Sequence, residues 1–157
     1  MVQTAVSIED MILEIKQEIR VHAPLDVTFE ALLEQLGPGS ESSDGTPMKM
    51  KIEPWPGGRW FRDLGGDNGH FWGNVQAIKR PTLLEFTGPL FMSHPVSNNV
   101  QYRLSHENGE TIIKFSHSGF GLVSEEHRKG VTTGWNSIHE KVRSRAEGSQ
   151  GAPSTRK

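Results

Sequence analysis

Apolar and polar residues alternate along most of the chain, which predicts a protein built mainly from β-strands. Between Leu13 and Val21 the odd positions are mostly apolar and the even positions mostly charged. This period of two is typical of a strand with one buried face. Similar segments predict six more strands, at residues 48–52, 58–64, 70–79, 82–88, 97–105 and 111–118. Turn sequences such as "GGDNG" and "ENG" separate neighbouring segments, and turns of this kind favour antiparallel hairpins.

Two segments have helical periodicity instead. The first begins after Pro24 and ends at Gly37-Pro38, with Phe29 and three leucines at helical spacing. The second is predicted from Ser124 to Glu147. Its apolar stripe consists of Val131, Trp135, Ile138 and Val142. Seven antiparallel strands with one face to bury, followed by a long amphipathic helix, predict an α+β fold in which a curved sheet wraps around that helix.

The segment "EPWPGGRWFRDL", residues 53 to 64, breaks the backbone beside large aromatic residues. Prolines cannot donate to a β-ladder and glycines adopt positive φ, so the segment predicts a hairpin turn with Trp55 at the rim of the sheet. On the predicted helix, Gly130 and Gly134 are four residues apart. They predict close packing of the helix on the sheet or, as the alternative, room for a ligand beside Trp135.

The composition limits the functional classes that need to be considered. The 157 residues correspond to one domain, predicted over residues 1–147 and followed by a disordered tail at residues 148–157. Lys plus Arg number 17 and Asp plus Glu number 19, for a net charge of −2, so nucleic acid and anionic membranes are not expected partners. Without cysteine, zinc-thiolate sites are excluded. Neither a leader nor a spanning segment is evident, and a cytoplasmic location is expected.

Several strings in the chain resemble the START-like, or SRPBCC, superfamily, in the branch related to the activator of Hsp90 ATPase. They are "VHAPLDVTFEAL", "PWPGGRW", "FWGNVQAIKRPTLLEFTG" and the Gly134-Trp135 pair of the last helix. The resemblance covers roughly residues 10 to 147 and implies the helix-grip fold. It also implies a possible cavity between sheet and helix, while the ligands and reactions of the superfamily differ too widely to be carried over.

Strand parity identifies the side chains that would line such a cavity. We expect them to be Trp60, Arg62, Phe71, Phe86, Tyr102, Phe115, His117 and Trp135. The sequence does not decide which face of the third and fourth strands points into the cavity. In the third strand Trp60 and Arg62 alternate with Phe61, and in the fourth Trp72 leaves the parity ambiguous. Polar residues on the inward faces, among them Gln17, Asn98 and His117, need partners there, which are either a ligand or one another.

Three functions remain open. The preferred hypothesis is binding of a small, largely apolar ligand in the cavity, without a cofactor. The resemblance also implies a module that acts on an Hsp90-type chaperone. The third possibility is an enzyme in which His117 is the acid or base and Arg62 orients an anionic group. The seven histidines show no helical i, i+4 pair, so no metal site is predicted, and no phosphate loop or dinucleotide motif is present.

Overall fold

The structure, a computed structural model, describes residues 7–91 and 94–151 and has the predicted helix-grip architecture. Seven strands form one antiparallel sheet in the order β1-β7-β6-β5-β4-β3-β2. The strands are β1 (Ile12–Val21), β2 (Met50–Ile52), β3 (Arg59–Gly65), β4 (Asn68–Lys79), β5 (Leu83–Gly88), β6 (Val96–Glu107) and β7 (Glu110–Gly121). The predicted strands are therefore all present, and β2 is shorter than expected.

Helices cover one face of this sheet. A 3-10 helix at Glu9–Met11 precedes β1, and α1 (Leu25–Leu36) follows β1. The helix α2 (Glu125–Gly151) is the last element and packs against α1 and β1. At its start the backbone N–H of His127 donates to the side-chain oxygen of Ser124 at 3.1 Å, so Ser124 caps the N-terminus of the helix.

The turn at residues 53 to 58 reverses the chain between β2 and β3 as predicted. Gly57 has a φ of 83°, a backbone conformation that glycine adopts without strain. At Gly58 a Cβ atom would lie 1.9 Å from the carbonyl oxygen of Glu53, so no larger residue fits. Trp55 is 56% exposed at the rim of the sheet, where the sequence placed it.

The core lies between the sheet and the two helices. Alternation correctly identified the inward side chains of the central strands, where Phe86, Val100, Tyr102, Phe115 and His117 are all buried. Ring contacts join many of these residues, and Trp135 of α2 lies against β7 through Phe115, with their ring centroids 4.8 Å apart. The fold thus brings most of the predicted ligand-lining residues into one region.

The expected inward position of Phe71 is wrong. Cross-strand pairing runs from Trp60–Gly73 directly to Phe61–Phe71, so Trp72 is an extra residue in β4. This bulge reverses the alternation beyond it. As a result Trp72 is buried, whereas Phe71 is 43% exposed on the outer face of the sheet.

Two expectations for α2 also need correction. The helix extends to Gly151, so residues 148–151, the first part of the predicted disordered tail, are helical. The remainder of that tail, residues 152–157, lies outside the described residues. Close packing at Gly130 and Gly134 is wrong, since both are exposed and a Cβ atom on either would meet nothing within 4 Å.

In the described part of the chain, no helix combines the length and apolar character needed to cross a membrane.

Candidate functional site

A continuous row of aromatic side chains runs through the space between the sheet and α2. We call it the aromatic row; its members are Trp60, Trp72, Phe86, Phe91, Tyr102, Phe115 and Trp135. Trp60 stacks on Phe86 with ring centroids 4.5 Å apart. Phe91 connects the two halves of the row, with ring centroids 5.5 Å from Trp72 and 6.0 Å from Trp135. Much of the expected cavity region is therefore occupied by side chains of the protein.

His117 is buried beside the aromatic row and is held by two hydrogen bonds. The indole Nε1 of Trp135 donates to Nδ1 of His117 at 2.9 Å. Since Nδ1 accepts, the ring proton lies on Nε2, which donates to Oδ1 of Asn98 at 2.7 Å. The amide nitrogen of Asn98 donates in turn to the carbonyl oxygens of Gly88 and Pro89. These contacts hold His117 as one neutral tautomer.

A second buried histidine, His139 of α2, also uses both ring nitrogens in hydrogen bonds, but as the opposite tautomer. Oε1 of Gln17 can only accept, so Nδ1 of His139 donates to it at 2.6 Å. Nε2 then accepts the hydroxyl hydrogen bond of Tyr102 at 2.9 Å. The imidazole ring also stacks on Trp135, with an interplanar angle of 11°. The predicted site residues Tyr102 and Trp135 therefore share His139 as a partner.

Burial keeps both histidines neutral. It lowers the pKa of His117 to about 4, with a smaller electrostatic contribution from nearby His127. It lowers the pKa of His139 to about 3, and it raises the pKa of Tyr102 well above its ordinary value. An efficient general base has a pKa near the working pH. The polar side chains next to the aromatic row thus have the properties of a bonded structural network.

Arg62 lies on the inner face near the edge of the sheet, apart from His117. It pairs across the strands with buried Met50, and its Nε donates to the carbonyl oxygen of Met48 at 3.0 Å. Phe71, on the outer face, pairs with Phe61. The structure therefore groups Trp60, Phe86, Tyr102, Phe115, His117 and Trp135 and places Arg62 at the sheet edge and Phe71 outside.

An open groove lies where the aromatic row reaches the surface at the start of α2. We call it the α2 groove; it has a volume of about 510 Å³ and is lined by Phe91, Ser124, Glu126, His127, Gly130 and Val131. Phe91 belongs both to this groove and to the aromatic row. Val131 is buried in the core, whereas Gly130 leaves open space above the helix. The groove therefore has an apolar floor and polar walls.

His127 is the unusual residue of the α2 groove. Among the side-chain nitrogen and oxygen atoms that are buried in the described part of the protein, Nε2 of His127 is the one without a hydrogen-bond partner. Aromatic rings cover the imidazole: its centroid lies 5.1 Å from that of His94 and 6.3 Å from that of Phe91. A buried polar atom left unpaired costs about 1–3 kcal/mol, which makes it a candidate contact for a ligand.

A second groove of about 410 Å³ lies between β1 and α2. Its residues are mostly polar or charged and include Gln17, Arg20, His139 and Arg143. His139 and Gln17 already bond each other, and Arg143 forms an ion pair with Glu140. This groove offers less apolar surface than the α2 groove.

The described residues contain no group of three or more histidine or acidic side chains arranged to hold a metal ion. His94 and His127 do lie side by side, a proximity that sequence spacing cannot show because 32 positions separate them in the chain.

Sequence reasoning missed Phe91, Trp72 and His127 as parts of the site. Phe91 lies in a predicted loop and His127 in the first turn of a helix, so neither belonged to an alternating pattern.

Comparisons with known proteins agree with this architecture. A family model described as "Activator of Hsp90 ATPase homolog 1-like protein" matches residues 22–147. None of the curated proteins compared with the chain matches it.

Solved structures with the same fold have diverse descriptions. Protein MLL2253 from Mesorhizobium loti is 19% identical, with a TM-score of 0.67 over 85% of this chain and 96% of that one. The Aha1 dimer from Colwellia psychrerythraea is 15% identical, with a TM-score of 0.60 over 86% and 96%. The di-domain ARO/CYC StfQ from the steffimycin biosynthetic pathway is 10% identical, with a TM-score of 0.66 over 92% and 54%. At these identities the similarity concerns the fold alone.

Proposed function

The chain belongs to the family described as Activator of Hsp90 ATPase homolog 1-like protein, and we propose that it binds a small, largely apolar molecule where α2 meets the segment after β5. The ligand enters at the α2 groove and rests on Phe91 and Val131. Similar sites in other proteins are concave, mostly apolar and about 300–1,000 Å³ in volume. The volume of about 510 Å³ falls within this range.

The observation that carries the proposal is the continuity between the α2 groove and the aromatic row. Phe91 lines the groove and contacts both Trp72 and Trp135. A ligand ring placed against Phe91 therefore extends a stack of aromatic side chains that already exists. Aromatic pairs in offset or edge-to-face contact add stabilisation beyond the apolar area that they bury.

The hydrogen bonds of the two buried histidines support a ligand position at the groove end of the row. His117 and His139 each use both ring nitrogens in hydrogen bonds within the protein. A ligand polar group inserted between them would have to break these bonds. For the same reason an acid–base role for His117 has less support than ligand binding, since its pKa is also far below neutrality.

Glycine substitutions on α2 provide a direct test of ligand binding. Gly130 lines the groove and Gly134 does not, yet a Cβ atom at either position meets open space. In wild-type protein we expect apolar aromatic compounds to raise the melting temperature, and polar metabolites to leave it unchanged. Gly130→Leu should fill the groove and abolish the ligand-induced shift, because the leucine occupies the ligand's position.

Gly134→Leu is the matched control, because it adds the same side chain one turn further along the helix. Both substitutions replace a helical glycine with a good helix former and should stabilise the free protein similarly, by about 0.5–1 kcal/mol. The ligand-induced shift should persist in Gly134→Leu. A shift that survives in both variants, or a wild-type protein that responds to no apolar compound, would contradict the proposal.

A second candidate is a module that binds an Hsp90-type chaperone. The family description favours it, and so does the exposure of Trp55, Leu64 and Phe71 in the β2–β4 part of the sheet, since exposed apolar residues can form protein-binding surfaces. Purified Hsp90 should then bind the wild-type protein and bind Phe71→Ser more weakly. Absence of binding at high micromolar concentration would remove this candidate.

A further inference from the structure

We propose that the ligand of the α2 groove carries a neutral hydroxyl or carbonyl group that hydrogen-bonds with Nε2 of His127. This inference rests on the proposed function and specifies the chemistry of the bound molecule. The groove lining combines the apolar side chains of Phe91 and Val131 with the imidazole of His127. A molecule that satisfies both features has a ring or chain at one end and one polar group at the other.

The first argument is the hydrogen-bonding state of His127. Nε2 of this residue is buried without a partner in the structure, whereas both ring nitrogens of His117 and of His139 are paired. Burial without a hydrogen bond is unfavourable for a polar atom. A ligand that supplies the missing partner therefore gains more affinity from one polar group than it would at a hydrated surface.

The second argument concerns access to this atom. Water does not reach Nε2, and the rings of Phe91 and His94 lie against the imidazole. His94 is exposed, while Phe91 also contacts Trp72 and Trp135. Displacing the His94 ring therefore disturbs fewer contacts than displacing Phe91. We infer that the polar group of the ligand occupies the position of the His94 ring.

The third argument concerns charge. Glu126 also lines the groove, and Glu125 precedes it in the first turn of α2. Arg128, the nearest basic residue in sequence, is turned toward the carbonyl oxygens of Asp10 and Ile12. A second carboxylate placed in the groove would be repelled by Glu126. The groove therefore disfavours an anionic group, whereas a hydroxyl or carbonyl carries no charge to be repelled.

Three naphthalene derivatives of similar size test this assignment by isothermal titration calorimetry at neutral pH. With wild-type protein, 1-naphthol should bind about tenfold more tightly than 1-methylnaphthalene, because it adds one hydrogen bond at equal size. The anion 1-naphthoate should bind more weakly than 1-naphthol. In His127→Leu the advantage of 1-naphthol should fall below twofold, while 1-methylnaphthalene keeps its affinity.

His106→Leu, which replaces an exposed histidine of the β6–β7 hairpin, is the matched control, and it should retain the preference for 1-naphthol. In the wild-type protein, 1-naphthol should also shift the ¹⁵N resonance of Nε2 of His127, a measurement that does not depend on the folding of a variant. Equal binding of 1-naphthol and 1-methylnaphthalene would overturn this inference and leave the proposed function intact. Loss of the preference in His106→Leu would also overturn the inference, because that residue does not line the groove. Failure of all three compounds to bind would overturn both proposals.

Discussion

His117 and His127 differ in what surrounds them, although both lie near α2. His117 is on the inner face of β7, where Trp135 and Asn98 satisfy both ring nitrogens. His127 is in the first turn of α2, where Nε2 is buried without a partner beside an open groove. A buried histidine is thus not by itself evidence of a catalytic or ligand-binding role. The difference in hydrogen bonding distinguishes a structural residue from a candidate ligand contact.

Replacing His117 should have the largest effect on stability. His117→Leu removes the acceptor of the Trp135 indole N–H and leaves that buried donor unpaired. We expect a loss of about 2–4 kcal/mol in the free energy of unfolding, measured with urea. His106→Leu, in the β6–β7 hairpin, is an exposed control and should change stability by less than about 0.5 kcal/mol. Equal effects of the two substitutions would mean that the bonds to His117 contribute little.

Acid should destabilise the protein through its buried histidines. The pKa of His117 is lowered to about 4 and that of His139 to about 3, so the unfolded chain binds protons at a higher pH than the folded chain does. Their stabilising contribution is complete above about pH 6.5 and is lost progressively as the pH falls toward these two values. Between pH 7.5 and 5.0 we expect a loss of about 2 kcal/mol per histidine.

Urea unfolding at several pH values measures this loss. His139→Gln removes one of the two buried histidines and should reduce the pH dependence of stability by about half over that interval. Since the ordinary pKa values of carboxyl groups lie below pH 5, they contribute little to the change. An unaltered pH dependence in His139→Gln would show that His139 does not titrate as its burial implies.

Removing the hydroxyl of Tyr102 should have a smaller effect. Tyr102→Phe keeps the ring in the aromatic row but leaves Nε2 of His139 without its donor. We expect a decrease of about 1–2 kcal/mol in the free energy of unfolding, measured with urea at pH 7.5. The ligand affinity of the α2 groove should be unchanged in the same variant. Unchanged stability would indicate that another group donates a hydrogen bond to Nε2 of His139 in the variant.

Replacing His127 should have the smallest effect, and of opposite sign. His127→Leu removes an unpaired polar atom from an apolar surrounding, so we expect stability to stay unchanged or to rise by up to about 1 kcal/mol. The melting temperature of the ligand-free protein is the measurement. A loss of stability comparable to that of His117→Leu would show that the two histidines do not differ in this way. It would also remove the argument that His127 is a ligand contact.

Local pattern predicted most of the fold. Alternation identified all seven strands and the inward faces of the central ones, because one buried sheet face requires a period of two. The same rule failed at Phe71, where the extra residue Trp72 shifts the phase of β4. A bulge depends on how two strands pair, and that pairing is not visible in the sequence of either strand alone.

The site was predictable in part. Six of the eight residues expected to line a cavity lie together, five of them in the aromatic row and His117 beside it, since side chains on the inner faces of neighbouring strands must meet. Arg62 and Phe71 lie elsewhere. The glycines of α2 could be recognised as unusual but not interpreted, because only the position of the helix relative to the sheet decides what lies above them.

The amino-acid sequence by itself determined the order of the elements, the hairpin turns and the apolar stripe of α2, since each depends on residues close together in the chain. The tertiary structure decided which polar groups meet. Asn98, His117 and Trp135 come from three elements, and their hydrogen bonds exist only once strand register and helix position are set. The unpaired nitrogen of His127 arises in the same way, because burial without a partner depends on residues distant in sequence that pack around it.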